Sequence, residues 1–274
     1  MLQRLGAVGA ALFTLAAVSG LGNGMRSTGV EAVTRPSLTL ELAFALPGVV
    51  AEAMVKPGET VAAGQPLLRL DDREARANLE QARMRADSSL EAEAERLNYE
   101  LARVRDERAR QAYDKGAASD LEVRETSLEA QRSKLAWELF VQRQVEARLR
   151  FDVATVEFER HTLRAPVAAR VEAVDVDPGE MVEVAQAVVR LIVLETLQLD
   201  APFPVGETLG LHTGDRAWVE VTRGDEVRIV EGKVIFVSGQ ADAGLDTCAV
   251  RIEFPNTAAV PAGTIVRAFL APPV

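Results

Sequence analysis

Apolar and polar positions alternate along the chain in two different periods, and the change of period divides it. From Leu38 to Phe44 and again around Val50 and Val55, apolar residues fall at every second position. That is the signature of half-buried strands. From Asp71 to about Asp114 the period changes to three and four, in a stretch that contains no Gly or Pro. The residues there are Ala, Glu, Arg, Gln and Leu, all strong helix formers, and Asp71-Asp72 supplies acidic N-terminal signals. The apolar stripe runs Leu79, Ala82, Ala86, Leu90, Ala94, Leu97, Leu101, Val104, a coiled-coil spacing with one stutter between Ala86 and Ala94.

Lys115-Gly116-Ala117-Ala118-Ser119-Asp120 interrupts the helix. Gly116 suits a left-handed C′ position. Ser119 with Glu122 three residues on reads as a capping box for a second helix, which extends into the mid-150s. Leu121, Leu128, Leu135, Leu149 and Val156 share one heptad position, with Gln142 as the polar exception, and Leu139 and Val153 fall on the partner position. The two stripes predict an antiparallel coiled-coil hairpin over 71–160 whose leucines meet between the helices. A helix of about 40 residues reaches roughly 60 Å.

The strand-forming segments that flank this hairpin are copies of each other. GVVAEAMVKPGETVAAGQPLLRL (48–70) aligns without a gap on ARVEAVDVDPGEMVEVAQAVVRL (169–191). Pro57, Gly58 and Glu59 thereby meet Pro178, Gly179 and Glu180. Pro followed by Gly is turn chemistry. One copy is too small to bury its own apolar face, so the two are expected to cover each other. The halves, 38–70 and 161–196, then form one β-domain into which the hairpin is inserted. Beyond 197 the pattern is all β: strands at Ala217–Val221, Val227–Val237, Cys248–Phe254 and Thr264–Leu270, separated by turn residues, predict a small barrel over 197–274. The fold class is therefore α+β.

At the other end, residues 1–21 combine Arg4 with an apolar run from Leu5 to Val18 and small residues at Ala17-Val18-Ser19. This reads as a cleaved export signal or an uncleaved anchor, followed by a polar linker over 22–37.

Composition narrows the function. The net charge is −10, against a nucleic-acid footprint. A single cysteine, Cys248, forms no intrachain disulfide, and its place in an alternating run predicts a buried strand thiol. His161 and His212 stand in no ligand-spaced pattern. No nucleophile–base pair, metal-spaced cluster or phosphate loop is present in the sequence, and no catalytic, cofactor-binding or metal residue is assigned. The chain is expected not to be an enzyme.

The order of half motif with PGETVAAGQPLLRLD, helical hairpin, LRAP, second half motif with PGEMV, and a β-domain ending EFPNTAAVPAGTIVRAFL resembles the HlyD-like or membrane fusion protein family, the periplasmic adaptors of bacterial tripartite export systems. The likeness covers about residues 38–270. It implies a lipoyl-like barrel-sandwich hybrid split by the hairpin, and a periplasmic protein held at the inner membrane. It further implies a hexameric ring that bridges an inner-membrane transporter, of ABC or resistance-nodulation-division type, to a TolC-type outer-membrane channel for efflux or secretion.

In the resistance-nodulation-division branch the tip carries an Arg, a Leu four residues on and a Ser seven further. Arg108 and Ser119 match; Ala112 stands where Leu is expected. Ser119 thus has two readings, helix cap and docking residue. Many adaptors also carry a membrane-proximal domain built from both chain ends, and that domain is expected to be absent here. Two other functions remain open at this point. One is a ring or scaffold protein without an export role. The other is a biotinyl or lipoyl carrier, against which stands the lack of a lysine after Glu52-Ala53-Met54, Lys56 being the nearest.

Overall fold

The computed structural model describes residues 29–224 and 226–273. The 1–21 segment and the first part of the 22–37 linker lie outside them. In chain order, β1 (Val30–Ala43), β2 (Gly48–Ala53), β3 (Thr60–Val61) and β4 (Pro66–Leu70) precede the helices α1 (Arg73–Asp87), α2 (Leu90–Asp114) and α3 (Asp120–Glu159). There follow β5 (Thr162–Arg164), β6 (Ala169–Val174), β7 (Met181–Val182), β8 (Ala187–Pro204) and a single turn, α4 (Val205–Thr208). The strands β9 (Arg216–Arg223), β10 (Glu226–Asp242), β11 (Thr247–Pro255) and β12 (Ile265–Phe269) complete the chain. Part of the 22–37 stretch read as linker is strand, because β1 begins at Val30 and not at Leu38. Likewise the end of the second repeat and the alternating run after it are one strand, β8.

Two compact units result. Among the described residues, one holds 29–33 with Leu199–Phe254 and 265–273; the other holds Thr34–Gln198 and Pro255–Thr264. In the first, antiparallel pairing runs β1-β12-β9-β10-β11. Alternation on β9 buries Ala217, Val219 and Val221, and on β11 it buries Cys248, Val250, Ile252 and Phe254. The Cys248 thiol lies 3.0 Å from the Ser238 carbonyl oxygen.

In the second unit the repeat is visible as a pseudo-two-fold. β2 pairs with β7 through Gly48↔Val182, and the equivalent residues pair as Ala169↔Val61 between β6 and β3. Each half therefore completes itself with a strand of the other. The core repeats as well: Val50, Val55, Val61, Leu67, Leu68 and Leu70 are buried together with their counterparts Val171, Val176, Val182, Val188, Val189 and Leu191. Each half thus buries its main apolar face against the other.

The helices form an antiparallel hairpin. Tyr99 meets Trp137, Arg110 reaches Ser127, and the Arg76 guanidinium lies over Phe158, so as the residue number rises on one side it falls on the other. The expected leucine seam, however, is on the wrong face. The residues turned inward on α3 are Val123, Thr126, Ala130, Ser133, Trp137, Phe140, Gln144, Ala147, Phe151, Ala154 and Phe158. Leu128 and Leu135 are 65% and 66% exposed. Each precedes a seam residue by two positions, roughly 200° round the helix.

On the first limb, Leu79, Ala82 and Ala86 do face inward. The helix then breaks at Ser88-Ser89, and the phase changes, so that Ala92, Tyr99, Ala102, Asp106 and Ala109 take over the seam. Leu90, Leu97, Leu101 and Val104 are left exposed. What the pattern read as a stutter in one helix is the junction between two.

Candidate functional site

Two sets of residues were singled out from the sequence, the turns of the repeat and the tip of the hairpin. The structure gives each a definite local role.

In the first turn, the Lys56 N–H donates to Oε2 of Glu59 at 3.2 Å, and the Glu59 N–H donates back to the Lys56 carbonyl at 3.2 Å. Gly58 between them has φ +89°, the left-handed value that a type II turn demands after Pro57. The turn then grips the other half. The Gly58 N–H donates to the Val171 carbonyl at 2.8 Å, and the Val171 N–H donates to the Glu59 carbonyl at 2.8 Å. Pro178-Gly179-Glu180 does the same with Val50, both bonds at 2.8 Å, and Oε2 of Glu180 accepts from the Asp177 N–H at 3.1 Å. The Pro-Gly-Glu triplets are thus two-point clamps that hold the halves to each other.

The same clamp recurs where nothing singled it out. Gly64 and Gln65 grip Ala165, and Gly263 and Thr264 grip Thr34. In the other unit Gly214 and Asp215 grip Val234. Gln65, Gln186 and Asp215 repeat the carboxylate's part, each accepting from the main chain three residues before. The signal that could have found them is a Gly, or Ala185, followed by a residue with a short acceptor side chain. Lys56, the residue of the carrier reading, spends its N–H inside this turn.

At the tip, α2 ends in a Schellman motif. The Gly116 N–H donates to the Tyr113 carbonyl at 2.8 Å, and the Ala117 N–H donates to the Ala112 carbonyl at 2.8 Å. Gly116 has φ +71° and open space around it, so its backbone angle alone makes glycine the fitting residue. Oγ of Ser119 accepts from the Glu122 N–H at 3.2 Å and caps α3. Arg108 is exposed on the outer side of α2, away from the seam. The structure therefore brings Ala112, Gly116 and Ser119 together in the turn, each with a structural task, and leaves Arg108 apart.

The hairpin is footed just as definitely. The Leu70 N–H donates to the His161 carbonyl at 2.8 Å, which joins the strand entering the helices to the residue leaving them. Asp71 follows; its carboxylate accepts from Nε and Nη2 of Arg73 at 2.9 and 2.6 Å and from the Arg73 N–H at 3.2 Å. The Arg73 side chain, its main-chain N–H and its charge hold the Asp71 carboxyl down at about 2. Asp71, not the N-cap Asp72, is the residue that takes up a free amide of α1.

Among the described residues no group of three or more His, Cys, Asp or Glu is placed to hold a metal ion, and no helix is long and apolar enough to cross a membrane. An open groove of ≈ 1150 Å3 runs over the repeat unit between the Gly58 turn, β6, β8 and the 259–262 loop. Its walls are largely aliphatic, and Arg190 at its margin pairs with Glu41 at 3.5 Å.

No family model matches the chain, and no curated protein does. Solved structures do match. MacA from Actinobacillus actinomycetemcomitans is similar over 89% of this chain and 77% of its own, with a TM-score of 0.71 at 15% identity. The fold is that of a membrane fusion protein. Spr0693 from Streptococcus pneumoniae R6, which bears that description, matches 88% of this chain and 97% of its own at TM-score 0.54 and 14% identity. A MacA–MexA chimera that contains the Pseudomonas aeruginosa MexA α-hairpin domain matches 90% of this chain and 82% of its own at TM-score 0.53 and 14% identity. The membrane-fusion-protein fold places a mixed body of strands beside inserted helices, and the interlocked repeat and antiparallel hairpin described above fit that plan.

Proposed function

We propose that this chain is a periplasmic adaptor that links an inner-membrane transporter to an outer-membrane channel for efflux or secretion, and that it has no catalytic step of its own. The observation that carries the reading is the 0.71 TM-score likeness to MacA over 89% of the chain. In this reading the interlocked halves are a lipoyl-like barrel-sandwich hybrid, and the helices are its coiled-coil arm. The strands after Gln198 are a small β-barrel, which the continuous antiparallel order β1-β12-β9-β10-β11-β8 supports. The protein acts as a homo-oligomeric ring, hexameric in the family it resembles, and is periplasmic and associated with the inner membrane, exported by an N-terminal signal or held by an N-terminal anchor.

The hairpin tip is the docking end. Ser119 and Ala112 are engaged in closing the turn, so the groups offered to a channel are the exposed Lys115 and Ala117 and the main chain of Gly116. The carrier reading is not favoured. The ring or scaffold reading differs only in lacking membrane partners, and one experiment separates the two. A photo-reactive residue is placed at Ala118 and cross-linked in intact cells, and the products are identified by mass spectrometry. Recovery of an outer-membrane channel on the tip, with an inner-membrane transporter co-purifying, is the expected result. A folded, exported protein that captures neither is a scaffold.

A further inference from the structure

The apolar positions of the first limb follow two lines that part at Ser88-Ser89. Leu79, Ala82 and Ala86 face α3. Carried on as one helix, the same line runs through Leu90, Leu97, Leu101 and Val104, with Val104 standing over Ala86 roughly five turns on. The joint sends that side outward, where all four residues are exposed. Ala92, Tyr99, Ala102, Asp106 and Ala109 face α3 in their place. The two sides of α2 lie about half a turn apart.

The joint is weakly made. Ser88 is extended at φ −78° and ψ 109°, and Ser89 has φ −109° and ψ 0°. Both are exposed, and the Ser89 side chain makes no capping hydrogen bond, unlike Ser119 at the start of α3. What keeps α2 in its setting lies further along. Tyr99 stacks on Trp137, Oγ1 of Thr126 donates to Asp106 at 3.4 Å, and Nη2 of Arg110 donates to Oγ of Ser127 at 3.3 Å. Two effects oppose these contacts. A straight joint would give the first amides of α2 their main-chain partners on α1, and a half turn of α2 would take four large aliphatic side chains out of water.

We infer that Ser88-Ser89 is a rotary joint that gives α2 two settings, leucines outward as seen and leucines inward against α3 of the same chain. Two packings of one sequence coexist when their opposing contributions are this closely matched. The heights along the hairpin suit the second setting. Tyr99 is level with Trp137 and Asp106 with Thr126, so Leu101 and Val104 fall between them, near Ser133 and Ala130. Both of those are small and face inward, which leaves room for the larger side chains. α3 is unbroken and keeps its seam in either setting. A joint that served only to bend the hairpin would need no second apolar side in line with that of α1. The device hides or presents the apolar side of one limb, and it stands independently of the adaptor reading.

The test traps each setting with a disulfide in the purified full chain. Ala102→Cys with Ser133→Cys reports leucines outward. Val104→Cys with Ala130→Cys reports leucines inward, since Val104 points away from α3 in the outward setting and is beyond disulfide reach there. Both pairs are made with the native joint and with Ser88→Ala plus Ser89→Ala, which favours a continuous helix. Oxidation is followed on the monomeric fraction by alkylating free thiols in denaturant and weighing the product; Cys248 is buried and contributes the same thiol throughout. With the native joint the first pair should close quickly, and the second completely but about tenfold or more slowly, as suits a minor setting populated at roughly a tenth or less. With the alanine joint the order should reverse. A second pair that stays open in both backgrounds, with helicity at 222 nm unchanged, would show a single fixed setting and overturn the inference. Equal closing of both pairs in both backgrounds would show a limb that turns freely without two settings, and would overturn it as well.

Discussion

Tyr99 and Trp137 stack across the hairpin with ring centroids 5.8 Å apart and planes 8° from parallel. Leu135, two residues before Trp137, points to the opposite side. Trp137→Ala should therefore lower the stability of the protein by about 2 kcal/mol through lost packing and stacking. Leu135→Ala, at a dilution where copies are separate, should change it by less than about 0.5 kcal/mol. Urea unfolding followed at 222 nm compares the two, and a larger loss at Leu135 would put the seam back on the leucines.

The Glu59 carboxylate accepts from the Lys56 N–H, and at the equivalent step of the turn starting at Ala62 the acceptor is the Gln65 amide oxygen. An amide can therefore do the same work. Glu59→Gln should leave the melting temperature nearly unchanged, whereas Glu59→Ala should cost about 1 kcal/mol. Equal losses for the two would mean that the charge, and not the hydrogen bond, holds the turn.

Ala185 occupies the place that Gly64 takes in the other half, with φ +62° against +79°. An alanine there carries backbone strain that glycine does not. Ala185→Gly should accordingly be stabilising, by up to about 1 kcal/mol, in contrast to the loss that Gly usually brings to strands. A destabilised variant in thermal unfolding would show that the site tolerates its side chain without strain.

Asp71 has its carboxyl lowered from 3.8 to about 2, chiefly by the Arg73 side chain. A folded pKa below the unfolded one adds stability that is fully present above about 4 and is lost as pH falls toward 2. The site is exposed and the contribution small. Asp71→Asn should be less stable than the parent at neutral pH, and the gap should close between about pH 4 and pH 2. A gap undiminished between pH 4 and pH 2 would assign the effect to something other than ionisation.

The β-domain was legible because its sequence is written twice. Val50, Val61 and Leu70 each have a counterpart in the same frame, and every such pair is buried. Pro57-Gly58-Glu59 announced a turn, although only the structure shows it gripping Val171. The hairpin's existence, its tip at Gly116 and its cap at Ser119 were legible too, because local backbone chemistry fixes them. Its inner face was not. Two stripes compete on α3, and the one made of leucines looks like the core. The one that packs is built from Ala130, Ser133 and Ala147, small enough for close approach, with Trp137, Phe140, Phe151 and Phe158 filling the remaining space. Burial depends on what stands opposite, which hydrophobicity along one helix does not encode. The break at Ser88-Ser89 added to the error, since a strip that keeps its spacing through a non-helical joint no longer keeps its direction.

The bond from Leu70 to His161 has an evolutionary consequence. The two halves of the body grip each other through Val50, Val171 and the turns opposite them, and none of those contacts passes through a helix. The helices meet the body at one narrow foot, like a mast stepped in a hull. Heptads can be inserted into or removed from both limbs together while the hull stays closed, so the length of the hairpin is free to change independently of the part that holds the protein together.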